Sequence, residues 1–166
     1  RNVVKVLVDE YVRSYSEGGS QMPADVTLSA LSLVEDRSIL FLAAFKNFSD
    51  AVRSLNPEQL AKVKEAIMNT QNFMYSDYGD LGDFMNNLEM LKIGSLPLYN
   101  AMAEVRMSMS TLIVANNVSP RFERATGLSI WLPRYNYMFE SYWDKYKDLD
   151  FHKYTGWGHA LELLYK

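Results

Sequence analysis

Three acidic residues at regular spacing, Asp77, Asp80 and Asp83, are the side chains best suited to bind a cation. Carboxylates next to flexible glycines suit Ca²⁺, but this spacing does not match the calcium loop of an EF-hand. In the structural interpretation, Asp80 caps a helix and Asp83 lies in its first turn, where a negative charge complements the helix dipole. We expect the capping role, with a calcium site as the alternative.

The remaining residues show no catalytic arrangement. His152 and His159 are the only histidines, and because Gly156 and Gly158 interrupt the helix between them, we expect both to be structural or at the surface. The chain contains no Cys, which excludes a cysteine nucleophile, a disulfide and a thiolate metal site within it. No G-x-S-x-G motif and no Gly-rich phosphate loop occur. The sequence therefore predicts no catalytic residue and no cofactor apart from the calcium alternative.

Composition limits the class of protein and its partners. The 166 residues are 48% hydrophobic and 22% charged, as in an ordinary globular domain. The net charge of −3 and the lack of a basic run give no case for binding nucleic acid. The longest uncharged apolar run, residues 39–45, is far shorter than the ~18 residues needed to span a bilayer. We expect one domain without a membrane span.

Apolar periodicity predicts mostly helices. An amphipathic helix is expected over 2–17, several more over 36–115, and two after Pro133. Two helix starts have capping signals, namely Ser32 with Glu35, and Asn56 with Gln59 after Pro57.

Two short segments, 26–31 and 126–132, have the composition of strands. Residues 26–31 are apolar on both faces, which is typical of a strand that is covered on two sides. Two strands alone do not form a stable sheet. We therefore expect both strands to lie in one sheet that is completed by residues outside this chain, so the fold class is helix-rich α/β.

Aromatic residues are concentrated between 131 and 157. We expect them to form a packing seam between the last helices and the second strand. Binding of a sugar or peptide by Trp131, Trp143 or Trp157 is the alternative. The nine methionines are expected to fill the core, with an adaptable binding surface as the alternative.

Four phrases, in order along the chain, resemble the region downstream of the catalytic cysteine in clostripain-like cysteine peptidases. The first joins the helix around Val8–Tyr15 to the strand Val26-Thr-Leu-Ser-Ala-Leu-Ser-Leu33, with Ser32 where the family usually has an acid. The others are Asp80-Leu-Gly-Asp-Phe84, Gly127-Leu-Ser-Ile-Trp-Leu-Pro133, and Leu149-Asp-Phe151 with Thr155-Gly-Trp157. Together they span nearly the whole length of the chain, from Val8 to Trp157.

The resemblance implies that residues 1–166 are the C-terminal portion of a secreted, periplasmic or cell-surface bacterial endopeptidase that cleaves after Arg or Lys. Residues 1–35 and 121–166 would pack on a caspase-like α/β sandwich, and 36–120 would form an appended helical bundle. The catalytic His and Cys would lie upstream, so this chain alone is predicted to be inactive. Its partners would be that upstream catalytic portion and protein or peptide substrates. The alternative function is a non-catalytic helical protein-interaction domain.

Overall fold

The computed structural model describes residues 2–73, 75 and 77–165, and these form eight α-helices and four short strands. The helices are α1 (Val3–Ser14), α2 (Glu35–Arg53), α3 (Pro57–Asn69), α4 (Leu81–Met90), α5 (Leu96–Leu112), α6 (Asn136–Tyr146), α7 (Asp150–Thr155) and α8 (Trp157–Tyr165). The strands are β1 (Thr27–Leu31), β2 (Tyr78–Asp80), β3 (Ile113–Val118) and β4 (Ser129–Trp131). Among the helices described, none is both long and apolar enough to cross a membrane.

The predicted start of α3 is confirmed by its hydrogen bonds. The side chain of Asn56 accepts from the backbone N–H of Gln59 at 2.9 Å, and the side chain of Gln59 accepts from the backbone N–H of Asn56 at 3.1 Å. Pro57 occupies the first turn, where its missing N–H costs nothing. The sequence alone therefore specifies this helix start.

The predicted capping box of Ser32 and Glu35 is wrong. Helix α2 begins at Glu35, its N-cap is Val34, and no side chain caps it. The backbone N–H of Ser32 donates instead to the carbonyl oxygen of Leu112 at 2.8 Å, which continues the pairing of β1 with β3. The strand thus extends over the residue that the motif assigns to the helix.

The four strands form two separate antiparallel pairs, β1 with β3 and β2 with β4. The expectation that 26–31 and 126–132 lie in one sheet is therefore wrong for the chain as it stands. Each segment finds a partner that the sequence pattern does not reveal. Strand β2 has only three residues in a polar loop, and β3 follows directly on α5, where Asn116 and Asn117 resemble a helix stop.

Strand β1 is only half-buried, although its composition predicts cover on both faces. Helix α1 lies against one face of the β1–β3 pair, where the Asn117 amide donates to the Asp9 carboxylate at 3.0 Å. On the opposite face, the Ser29 hydroxyl donates to Asn116 at 2.8 Å, and the Asn116 amide donates to the carbonyl oxygen of Ala125 at 3.0 Å. Both faces of the pair thus carry polar contacts as well as apolar ones.

The hydrophobic core lies between α2 and the helices that surround it. Helix α2 packs along α5 and also contacts α7 and α8. The side chains of Phe45, Phe48, Phe84 and Trp157 are fully buried at the centre. Most of the chain's buried apolar residues, from both the middle helices and the C-terminal ones, belong to this one cluster. The helix-rich character that the sequence predicts is therefore confirmed.

Candidate functional site

The carboxylate of Asp80 connects the start of α4 to the segment before β4. It is fully buried and accepts from the backbone N–H of Asp83 at 2.9 Å, which is the N-cap contact that the sequence predicts. It also accepts from the backbone N–H and the hydroxyl of Thr126, both at 2.7 Å, and from the N–H of Gly127 at 3.2 Å. Burial raises the pKa of Asp80, and these hydrogen bonds oppose the rise.

Asp83 is buried in the first turn of α4 and has different partners from Asp80. Its carboxylate accepts from the backbone N–H of Gln71 at 2.6 Å and lies 3.3 Å from the guanidinium of Arg124. The Asn87 amide is 3.4 Å from the same oxygen. Asp83 thus holds the end of α3 and the loop before β4 against α4.

Asp77 contributes to this region through its backbone, because its carbonyl oxygen accepts from the N–H of Leu132 at 2.8 Å. Protein donors engage the carboxylates of both Asp80 and Asp83. Within residues 2–73, 75 and 77–165, no three His, Cys, Asp or Glu side chains are arranged to hold a metal ion. The capping role of Asp80 is confirmed, and the calcium alternative stays a prediction.

The two histidines meet even though Gly156 ends α7 between them. The His152 and His159 rings have centroids 4.7 Å apart. His152 is buried, and its Nδ1 accepts from the backbone N–H of Gly158 at 3.1 Å, while Nδ1 of His159 lies 3.0 Å from a carboxylate oxygen of Glu162. Sequence reasoning overlooked Glu162, although its position three residues after His159 on a helix was a usable signal.

Most of the aromatic side chains between 131 and 157 form the packing seam that the sequence predicts, whereas Tyr135, Tyr137, Tyr142 and Tyr154 are exposed. Trp131 stacks on Phe139 with ring centroids 5.6 Å apart, and Trp157 stacks on Phe48 at 5.8 Å. Trp131 and Trp157 are buried, so they are not placed to bind a sugar or peptide from solvent, and that alternative is wrong for these two residues. Trp143 is half-buried and packs against Phe139 and His152.

A group of exposed apolar residues surrounds the two junctions where β1 leads into α2 and α5 leads into β3. The junctions are adjacent, because Leu31 pairs with Ile113 and the Arg37 guanidinium donates to the carbonyl oxygen of Thr111 at 3.2 Å. Leu33 is 81% exposed and Met107 is 72% exposed. We call this group the apolar corner; its members are Leu31, Leu33, Val34, Leu40, Met107 and Val114.

The outer edge of β1 borders the apolar corner. The carbonyl oxygen of Val26 and the N–H of Ser32 bond to residues beside β3, so the backbone groups of Thr27 and Ser29 point away from that strand. They have no backbone partner on that side among the residues described. The strand contains neither a charged residue nor Pro, the usual means of protecting a sheet edge. This edge is therefore competent to pair with another strand.

Comparisons of the chain with protein-family models, with curated proteins and with solved structures find no match.

Proposed function

We propose that this chain is the C-terminal structural part of a secreted, clostripain-like cysteine endopeptidase that cleaves after Arg or Lys. In this proposal the chain supports a catalytic portion that supplies the His and Cys, since the chain itself contains no Cys. The observation that carries the proposal is the combination of the apolar corner with the unprotected edge of β1. Exposed apolar residues beside an open strand edge are typical of a surface that another part of a protein covers.

The contacts among the resembling phrases support the proposal further. The phrase 80–84 is joined to the phrase 127–133 through the hydrogen bond from Gly127 to Asp80. The phrase 127–133 is joined to Trp157 through a hydrogen bond from the indole to the carbonyl oxygen of Trp131 at 2.9 Å. Residues that are far apart in sequence thus form one connected network.

The first experiment measures activity after reconstitution. The chain alone should show no thiol-dependent hydrolysis of Arg- or Lys-directed peptide substrates, because it has no thiol nucleophile. Co-expression with the upstream portion encoded by the same gene should give an active complex that elutes as a single species in size-exclusion chromatography. Thiol-dependent activity of the purified chain by itself, or an upstream portion without a His and Cys, would contradict the proposal.

The second experiment tests whether the apolar corner contacts the upstream portion. Leu33→Asp introduces a charge at a residue that is 81% exposed, so the chain should still fold, but binding of the upstream portion should weaken at least tenfold. Leu96→Asp is the matched control, because Leu96 is 71% exposed and begins α5. Met107 of the apolar corner follows Leu96 by 11 residues on this helix (107 − 96), so about 17 Å of helix separate the two. Equal weakening by both variants would exclude the apolar corner as the contact.

A second candidate, the helical protein-interaction domain, is favoured by a groove between α2 and α5. Its walls are mostly apolar and include Leu40, Ala43, Ala44 and Met107, with Asn47 and Glu104 hydrogen-bonded at 2.9 Å within it. An apolar groove between helices suits an amphipathic helix of a partner. Hydrogen exchange distinguishes the two functions. If the chain is part of the peptidase, adding the upstream portion should protect the amides of residues 26–31. If the chain is an interaction domain, these amides should gain no protection.

A further inference from the structure

The junction between α7 and α8 depends on an unusual cap. Gly156 ends α7 in a left-handed conformation, with φ of 69°, and α8 begins at once with Trp157. The first backbone N–H groups of a helix have no partner within it. Here the N–H of Trp157 donates to the Thr155 hydroxyl at 3.3 Å, and the N–H of Gly158 donates to Nδ1 of His152 at 3.1 Å. An imidazole nitrogen thus provides part of the N-terminal cap of α8.

This cap requires the neutral form of His152. A ring nitrogen accepts a hydrogen bond only when it carries no proton, so the single proton of the neutral ring resides on Nε2. Protonation would place an N–H on Nδ1, facing the N–H of Gly158. It would also put a positive charge at the N-terminus of α8, where the helix dipole disfavours it. Acid therefore converts the cap contact into a repulsive one.

The surroundings of His152 hold the ring in this position. A Cβ atom on Gly158 would lie 2.8 Å from Nδ1 of His152 and 2.6 Å from the Trp143 ring, so only glycine permits this close approach. Trp143 and Tyr146 of α6 pack around the imidazole at centroid distances of 5.4 and 5.7 Å. Helix α2 contacts α7 through Phe45, whose ring centroid lies 5.1 Å from that of Phe151.

The charged neighbours of His152 have opposing effects. Burial lowers the pKa of His152 most strongly, and the positive charges of His159 and Lys153 lower it further, while Glu162 acts in the opposite direction. Because the fold favours the neutral ring, the stability that His152 contributes to the folded state is complete above the ordinary histidine pKa, about 6.5. The contribution is lost as the pH falls below that value.

Helix α8 contributes several side chains to the hydrophobic core. Trp157, Ala160 and Leu161 are fully buried, and the Trp157 ring contacts Phe45, Phe48 and Phe84. From these contacts we infer that His152 is an acid-sensitive latch, which caps α8 when neutral and releases the first turn of that helix when protonated. The consequence is a chain whose C-terminal helix loosens in mildly acidic surroundings while its other helices remain folded.

The test combines hydrogen exchange with histidine NMR on the full 166-residue chain. Exchange rates are corrected for the intrinsic effect of pH, and the amides of α3 serve as an internal reference. Between pH 7.5 and pH 5, protection of the amides at the start of α8 should fall at least tenfold, and that of α3 should not change. The ring signal of His152 and the amide signal of Gly158 should titrate with the same midpoint, below the ordinary histidine value.

Two variants separate the latch from general acid sensitivity. His152→Asn keeps an acceptor oxygen near the position of Nδ1 but cannot titrate, so protection of α8 should become independent of pH over this range. His159→Asn removes a positive charge that opposes protonation of His152, so the midpoint of the His152 titration should rise. An unchanged pH dependence in His152→Asn would overturn the latch. If that variant does not fold, different midpoints for His152 and Gly158 in the unmodified chain would overturn it equally.

Discussion

The indole Nε1–H of Trp157 donates a hydrogen bond to the backbone carbonyl oxygen of Trp131 at 2.9 Å. This bond joins the first residue of α8 to the last residue of β4, and both side chains are buried. The carbonyl group lies on the side of β4 away from β2, so the indole satisfies an acceptor that no strand reaches. One side chain thereby closes a sheet edge and fills the centre of the core.

Replacement of Trp157 by Phe should destabilise the chain by about 3 kcal/mol, because it leaves a cavity and a buried carbonyl group without a donor. Urea unfolding followed by circular dichroism measures the change. Tyr142→Phe is the control, since Tyr142 is exposed on α6 and its change should stay within about 0.5 kcal/mol. A loss of less than 1 kcal/mol for Trp157→Phe would show that the hydrogen bond and the packing contribute little.

Asp80→Ala should cost about 3 kcal/mol, more than the ~1 kcal/mol of an ordinary helix cap. The larger value follows because the carboxylate also accepts from Thr126 and Gly127, whose half-buried donors would lose their acceptor. Asp77→Ala is the matched control and should have almost no effect on the thermal midpoint. If the capping interpretation is complete, millimolar calcium should leave the midpoint of the unmodified chain unchanged. A rise of several degrees that Asp83→Ala abolishes would favour the calcium alternative.

Tyr146→Phe should leave the chain as stable as before or stabilise it by about 1 kcal/mol. Tyr146 is buried, its hydroxyl has no hydrogen-bond partner within residues 2–73, 75 and 77–165, and burial raises its pKa. Removal of the hydroxyl therefore removes a desolvation cost. Tyr165→Phe is the contrasting variant, because the Tyr165 hydroxyl donates to the carbonyl oxygen of Pro133 and its loss should destabilise by about 1 kcal/mol. Equal losses for both variants would indicate that Tyr146 has a partner after all.

Asn56→Ala and Ser32→Ala should differ, although the two residues begin similar sequence motifs. Asn56 caps α3, so its replacement should cost about 1 kcal/mol. Ser32 contributes its backbone to the pairing with Leu112, and its side chain caps no helix, so its replacement should be nearly neutral. Thermal unfolding of both variants provides the measurement. A comparable loss of stability for Ser32→Ala would show that the Ser32 side chain does cap α2, as the sequence motif predicts.

The sequence predicts features that depend on neighbouring residues. Helix periodicity, the cap at Asn56 and the cap at Asp80 all act within a few positions, and the structure confirms them. Strand pairing depends on residues far apart, so nothing local indicated that 26–31 would pair with β3. The contact of His152 with His159 was hidden for a related reason, because a bend at Gly156 brings together residues that a continuous helix would position differently.

The direct passage from α5 into β3 also has a consequence for the order of folding. Ser29 and Asn116 hydrogen-bond across a separation of 87 residues, and closing such a loop from an open chain is entropically costly. Helices α2 and α5 pack along each other, and each is continuous or nearly so with one of the two strands. Once these helices have docked, the strand ends are already neighbours, and the remaining closure is short. We therefore expect the helices to assemble first, with β1 and β3 pairing in the last step, so during refolding the amides of α2 and α5 should gain protection from hydrogen exchange before those of β1 and β3.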